Sequence, residues 1–473
     1  MTDSKSPSDG AVAQPAAQRL ASRLQARAHP GRGAALAVLA LLALLPLLDP
    51  GLLQNLRARG FDLHHRIAPR SPAPSQVSIV AIDENSLARY GQWPWPRTLI
   101  ARLVRQIAAS EPRALAVDIL FSEPDRLSPG KLAQAVPDLP APLARDLASL
   151  PANEVALAAA FRSVPTVLGL GFGAAIDAAA ASSASERGPM RVTQVRESGA
   201  DPRPFLIELP ELLRSLPELT AAERGRGAMI PAAEDGSGTL RCVPLFVVSQ
   251  HNLVPTLALE GLRVAFGAAS LGITTADDGI QGATLGDVFV ATDRRGCAHP
   301  HFSKSAESRY VSAAELLDEK PFDPARLRGR LVFLGVTGQG LVDSWQTPLG
   351  LMHGVEVQAQ LAETILARDI LRHPSNLRVV EISWVLGVGL LTIFALPYRR
   401  PRIACSGFAA LVALTLGAAF VSFSLYNLML DGVYPVIASG VTFGVMLVAS
   451  LRAAEAARRS LTAELERERE LQA

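Results

Sequence analysis

VSIVAIDENSLARYGQWPWPR, residues Val77 to Arg97, sets the class of the large domain. Val77 to Ile82 is an apolar run of strand length, the pattern of a strand buried on both faces. Asp83 ends it, and Glu84, Asn85 and Ser86 offer side-chain oxygens to the free amides of a helix starting near Leu87. Trp93, Pro94, Trp95 and Pro96 then hold an extended path, because proline disfavours helical backbone at the residue before it; a second helix begins after Pro96. Leu99, Ile100, Leu103, Val104 and Ile107 line one face of that helix, with Arg102, Arg105 and Gln106 opposite. A second strand follows at Ala114 to Phe121, carrying Asp118 near its end. Two strands joined by a helix read as a right-handed βαβ unit, and the ends of such strands commonly meet ligands.

Working outward, 473 residues leave room for more than one domain. A hydrophobic content of 49% with mean hydropathy +0.23 points to a membrane protein. A formal charge of +2, with few aromatics and none interleaved with basic clusters, excludes nucleic acid as the expected partner. Residues 1–32 form a basic, disordered-looking leader, and an apolar block covers 33–53, read as an uncleaved anchor because no small-residue cleavage pattern follows. Three further apolar blocks occupy 379–396, 404–428 and 436–451. The loop Tyr398 to Arg402 carries three arginines, whereas Asn427 to Pro435 carries Asp431 and no Lys or Arg. The positive-inside rule therefore puts both termini in the cytoplasm and residues 54–378 outside. Arg57, Arg59, Arg66 and Arg70, just beyond the first block, run against that orientation.

Within 54–378, Leu52 to Ile67 reads as an amphipathic stalk helix. Gly169, Gly171 and Gly173 lack the spacing of a dinucleotide loop, no Walker signature is present, and the glycines fit a strand with a close neighbour. Ala174 to Arg203 reads as a mobile loop, and Gly227 to Val248 as a hairpin turning at Asp235 to Gly238. Cys242 and Cys297 can pair if their domain lies outside the cytosol. Cys297, His299 and His301 alternate on one face of an extended segment, a weak zinc or copper pattern lacking a fourth ligand, so no metal is assigned. Arg330 to Val336 is a third buried strand, opening into a glycine-containing turn that ends near Asp343. Val355, Ala359, Ala362, Ile365 and Leu366 make the buried stripe of a last helix, which leads almost directly into the second apolar block.

Taken together these segments resemble the CHASE type-2 family of extracellular sensor domains. The resemblance is carried by IDENSLARYGQWPWPR (Ile82 to Arg97), AVDILFSEPD (Ala116 to Asp125), LVFLGVTGQGLVDSWQTPLG (Leu331 to Gly350) and HGVEVQAQ (His353 to Gln360). Trp93, Pro94, Trp95, Pro96, Gly335, Pro348, Gly354 and Glu356 are the structural positions of these motifs. The resemblance implies an α/β extracytoplasmic sensor domain with one transmembrane helix before it and three after, in a bacterial inner membrane. It also implies a cyclase- or kinase-type output domain after the last span. In this chain only 452–473 follow, a charged segment like the start of a signalling helix, with no catalytic pattern.

Three functions compete. The leading one is a membrane receptor module relaying an unknown periplasmic ligand, with Asp83, Arg97, Asp118 and Asp343 as candidate contacts and no cofactor. These residues can equally be structural caps and braces. A stand-alone membrane scaffold is the second. The third is an extracytoplasmic enzyme using Asp83 and Asp118 as an acid/base pair, for which no activated nucleophile is visible. Gly440 and Gly444, a G-x-x-x-G pair in the last block, suit either a homodimer contact or packing inside the bundle; the remaining expected partner is membrane lipid.

Overall fold

The computed structural model describes residues 31–48, 51–71, 76–136, 138–172, 193–209, 211–229, 238–318, 321–338, 340, 344–372, 377–398 and 400–472. The helices used below are α1 (Arg32–Leu48), α2 (Gly51–Ile67), α3 (Glu84–Tyr90), α4 (Arg97–Ala109), α5 (Asn153–Arg162), α6 (Leu257–Ala265), α7 (Ala313–Leu317), α8 (Gly354–Leu366), α9 (Leu377–Ala395), α10 (Pro401–Tyr426) and α11 (Val433–Gln472). The chain divides into two compact units. The larger comprises Arg59–Leu377 and Val421–Leu430; the smaller comprises the described residues up to Ala58, Arg378–Phe420 and Asp431 onward.

The larger unit is built on six strands, all parallel: β1 (Val77–Ile82), β2 (Ala114–Asp118), β3 (Thr166–Leu170), β4 (Gly225–Ala228), β5 (Tyr310–Ser312) and β6 (Leu331–Val336). Their order is β5-β1-β6-β2-β3-β4. Every residue of β1 and β6 is buried, as expected of parallel strands covered on both faces. One face is covered by α4, α5 and α7, whose Ile100, Leu103, Val104, Leu157, Phe161 and Leu316 join Val80, Ile82 and Leu334 in one core. The other face is covered by α6 and α8 through Leu257, Leu259, Leu262, Val355, Ala359 and Leu361. A second sheet of four strands is attached, in which Val195–Gly199 runs parallel to Leu271–Ala276.

Three local expectations change. β2 ends at Asp118, so Ile119 to Phe121 have already left the sheet. Residues 174–192 of the expected loop lie outside the described residues, but Val195–Gly199 is a strand. The expected hairpin turn at Asp235 lies mostly outside the described residues, and Gly225–Ala228 is a parallel strand rather than a hairpin arm. The hairpin forms one step later, pairing Phe246–Ser249 with Asn252–Pro255 through Gln250 (φ 49°) and His251 (φ 65°). Two positive φ values match the strand twist in a two-residue turn, here met without glycine.

The smaller unit packs α1, α9, α10 and α11 around Ala35, Leu39, Ala43, Val385, Ile393, Ala404, Tyr434, Ala438 and Met446. Among the described residues, two helices are long and apolar enough to cross a membrane, Pro401–Tyr426 and the start of Val433–Leu471. The block 33–53 is not one straight helix: Arg32–Leu48 and Leu53–Ile67 are bent by 84°. Val379–Ala395 is a shorter apolar helix. The last block and the charged segment after it form one helix of 40 residues. Gly440 faces the Phe408 ring of α10, whereas a side chain at Gly444 would meet nothing within 4 Å.

Candidate functional site: the ion network of the last sensor helix

At the sheet edge, Asp83 caps α3. Its Oδ1 accepts from the Ser86 amide (2.9 Å), the Ser86 hydroxyl (2.6 Å) and the Ser312 hydroxyl (2.9 Å). Asp118 sits two strands away, since β6 runs between β1 and β2, a separation of about 10 Å at the usual strand spacing. Arg97 opens α4 and is itself buried. Its guanidinium lies 4.6 Å over the Phe121 ring, and its amide donates to Asp125 Oδ2 at 2.8 Å. Burial lowers its pKa from the ordinary arginine value despite Asp125 and Glu154 nearby. Burial pushes the Asp125 carboxyl up, but the Arg97 amide, the Asn153 amide group and the Leu127 amide outweigh it and hold the carboxyl below the usual carboxylate value. Asp343 lies outside the described residues.

A denser polar cluster lies on α8. Nearly the whole helix is buried, yet Glu356, Gln360 and Glu363 recur at positions i, i+4 and i+7, one face of a helix. Arg309, itself only 3% exposed, grips Glu363 with two bonds, Nε to Oε1 at 3.1 Å and Nη2 to Oε2 at 3.0 Å. Its Nη1 donates to Glu356 Oε1 (3.2 Å), and Nη2 also reaches the Ser303 hydroxyl (2.8 Å). Arg70 donates from Nη2 to Glu363 Oε2 (2.5 Å) and from Nε to the His301 carbonyl (3.1 Å). The Tyr310 hydroxyl donates to Glu356 Oε2 (2.7 Å), and burial together with that carboxylate pushes its pKa far up. Gln360 closes the ring, accepting from the Ser303 amide and donating to the Ser303 carbonyl and to Glu356. Two buried cations face two buried carboxylates, so the network is neutral as a whole and its charges are individually paired.

The network continues past the end of α8. The Asp369 carboxylate lies 3.3 Å from His301 Nδ1 and accepts from Asn427 at 2.6 Å. Burial opposes its ionisation, but His301 and Asn427 prevail and hold it below the usual carboxylate value. The Arg372 amide donates to the Asn427 carbonyl, and the Met429 amide donates back to Arg372. His65 of α2, His301 and Phe423 of α10 stack edge to face at 5.1 to 5.8 Å. Burial lowers the His65 pKa from 6.5 to about 4, which keeps the ring neutral near neutral pH. One hydrogen-bonded path thus runs from the core of the larger unit to the ends of α2 and α10.

The CHASE2 domain profile matches residues 35–395. The chain belongs to the CHASE2 family. CHASE2 is a family of extracellular sensor domains. No curated protein and no solved structure matches the chain.

The motif positions of this CHASE2 chain act through packing. Trp95 is fully buried with its indole N–H on the Gly91 carbonyl (2.8 Å), and Trp93 tilts against it across a cis Trp93–Pro94 bond. Pro96 precedes the first turn of α4. A Cβ at Gly335 would stand 2.8 Å from the Val355 side chain, so only glycine lets α8 lie this close to β6. Gly354 is the first residue of α8, and the Pro348 carbonyl accepts from Arg66 Nε at 3.1 Å. Of the motif positions, Glu356 alone belongs to the ion network. Arg309, Arg70, Glu363, Tyr310, Ser303 and Gln360 escaped the sequence reading. The one available signal was the polar i, i+4, i+7 row on an otherwise apolar helix.

The weak metal pattern is corrected. Cys297 is joined to Cys242 in a disulfide with Cα atoms 5.6 Å apart, so it offers no thiolate. His299 lies beside Asp293, while His301 turns to Asp369 and the Ala68 carbonyl. Alternation on one long strand would have aligned the three, but the strand is only Cys297–Ala298, and His299 bridges instead to Leu371.

Proposed function

We propose that the chain is a bacterial inner-membrane receptor module in which a periplasmic event moves α8 and the apolar helices carry that movement to a cytoplasmic output. The observation carrying this reading is the α8 network. A helix whose carboxylates are locked by Arg309 and Arg70 has discrete positions, because sliding it would strand buried charges, and α9 follows it within about a dozen residues. Such a relay needs a ligand that binds one position better than the other.

Four spans, with both termini cytoplasmic and residues 54–378 periplasmic, are supported from within the smaller unit. Arg57 pairs with Glu381 and Asp431 at 3.3 Å each, and the proposed orientation puts these three segments on the same outer side. Ser450 donates to the Tyr398 carbonyl, joining two segments assigned to the inner side. The Cys242–Cys297 disulfide suits an oxidising compartment. Arg57, Arg66 and Arg70 are each engaged by acceptors, which weakens their objection to this orientation.

Ligand contact is proposed at Asp83 and Asp118, which end β1 and β2 on the carboxyl edge of a parallel sheet, and at Arg97 at the start of α4, with Asp343 kept as a candidate from the sequence alone. A homodimer through Gly440 and Gly444 is favoured at Gly444, which has open space beside it. Orientation is tested with Asp287→Cys and Ser460→Cys, each in a Cys405→Ser background. A membrane-impermeant maleimide applied to intact spheroplasts should label the first and not the second; the reverse pattern sinks the topology. A thermal-shift ligand screen on the whole chain tests the contact set, which fails if the response survives Asp83→Ala with Asp118→Ala.

A further inference from the structure

The exposed face of α2 in the larger unit combines groups that ordinarily avoid one another in water. Phe61, Asp62 and His65 point inward, while Arg59, Leu63, Arg66 and Ile67 are exposed. Leu63 is 54% and Ile67 60% exposed, an apolar pair one helical turn apart on the face that also carries Arg59 and Arg66. Beside this face lies a cavity of about 470 Å³ lined by Arg66, Lys304, Pro348, Leu349, Leu351 and Met352 among others. Leu351 at its rim is 69% exposed. Among the described residues no Asp or Glu lines the cavity, and neither Lys304 nor Arg59 has an acidic partner. Arg66 spends its Nε on the Pro348 carbonyl, which fixes the guanidinium at the cavity mouth and leaves its other donors available.

We propose that this cavity binds the phosphate headgroup of an anionic phospholipid between Arg66 and Lys304, with the acyl chains along Leu63, Ile67 and Leu351. A free anion would satisfy the two cations and leave three exposed leucine and isoleucine side chains in water. A neutral lipid would cover the apolar side chains and leave the cations unpaired. An anionic lipid answers both, and juxtamembrane cations beside exposed apolar side chains are the usual form of such recognition. The occupied cavity abuts α8 directly, since Met352 on its wall contacts Gln360 of the ion network. The lipid is thus positioned to bias the same helix that carries the proposed signal. The inference rests on the membrane reading above.

The test uses the full chain in nanodiscs of phosphatidylcholine carrying trace spin-labelled phosphatidylglycerol or spin-labelled phosphatidylcholine. Phosphatidylglycerol should be held preferentially. Lys304→Gln with Arg66→Gln should reduce the preference by about thirtyfold, two surface charges' worth. Lys304→Gln alone, at an exposed position without a partner, should give a smaller reduction in the same direction. Equal retention of both lipids overturns the proposal, as does a preference the double variant leaves intact. Abolition of the preference by 10 mM inorganic phosphate would assign the site to a free anion and also overturn it. Failure of the membrane reading would be visible separately, as failure of the chain to float with the nanodiscs.

Discussion

Replacing Arg309 by methionine should be among the most damaging single changes in the larger unit. Methionine keeps much of the side-chain length but removes four hydrogen bonds, two to Glu363, one to Glu356 and one to Ser303. The network then holds two carboxylates against Arg70 alone, leaving about one negative charge uncompensated in a site where the side chains are at most 6% exposed. Breaking a buried pair from one side costs about 3–5 kcal/mol. At about 2 °C per kcal/mol for a domain of this size, the midpoint of thermal unfolding should fall by roughly 6–10 °C. The assay is tryptophan fluorescence of the detergent-solubilised chain, compared with Arg328→Met. Arg328 pairs with Glu111 at 63% and 75% exposure, and its loss should cost under about 1 kcal/mol. Arg309→Met combined with Glu363→Gln should be destabilised by at least about 1 kcal/mol less than the sum of the single changes. An Arg309→Met midpoint matching that of Arg328→Met, or strict additivity in the cycle, would refute the claim that the network holds α8.

Three other changes report on separate parts of the fold. His65 has a folded pKa of about 4 against 6.5, because burial opposes its charge. Its stabilising contribution is full above pH 6.5 and is lost as pH falls toward 4, about 3 kcal/mol in all. His65→Phe should therefore flatten stability between those two values, as read by denaturant midpoints at each pH. Cys242→Ser opens a cross-link spanning 55 residues and should lower stability by about 2–4 kcal/mol. Adding reductant should then shift the wild type but not the variant. Gly335→Ala drives a methyl group into Val355 and should cost about 1–3 kcal/mol, recovered in part by Val355→Ala in the same chain; no recovery would mean the close approach is not the cause.

Much of the scaffold was legible in the sequence because its causes are local. The buried runs at Val77 and Leu331, the Asp83 cap, the restriction imposed by two prolines and the apolar stripe of α4 each act over a few residues. The hairpin was misjudged for a related reason: Asp235 and Gly236 carry the expected turn chemistry, whereas Gln250 and His251, which carry none of it, take positive φ where the strands Phe246–Ser249 and Asn252–Pro255 pair. The family motifs identified the domain while saying little about its charges.

The sequence alone determined a parallel α/β domain, the apolar segments before and after it in the chain, and its CHASE2 family. Tertiary structure decided which charges meet. Arg309 lies 54 residues from Glu363 and Arg70 lies 293 residues from it, and no periodicity reaches that far. Partner choice depends on the strand order that brings β5 beside β1 and sets α8 across β6. A buried ion must find its counter-charge wherever the chain delivers one, so the polar row on α8 became interpretable only once the fold had placed two arginines against it.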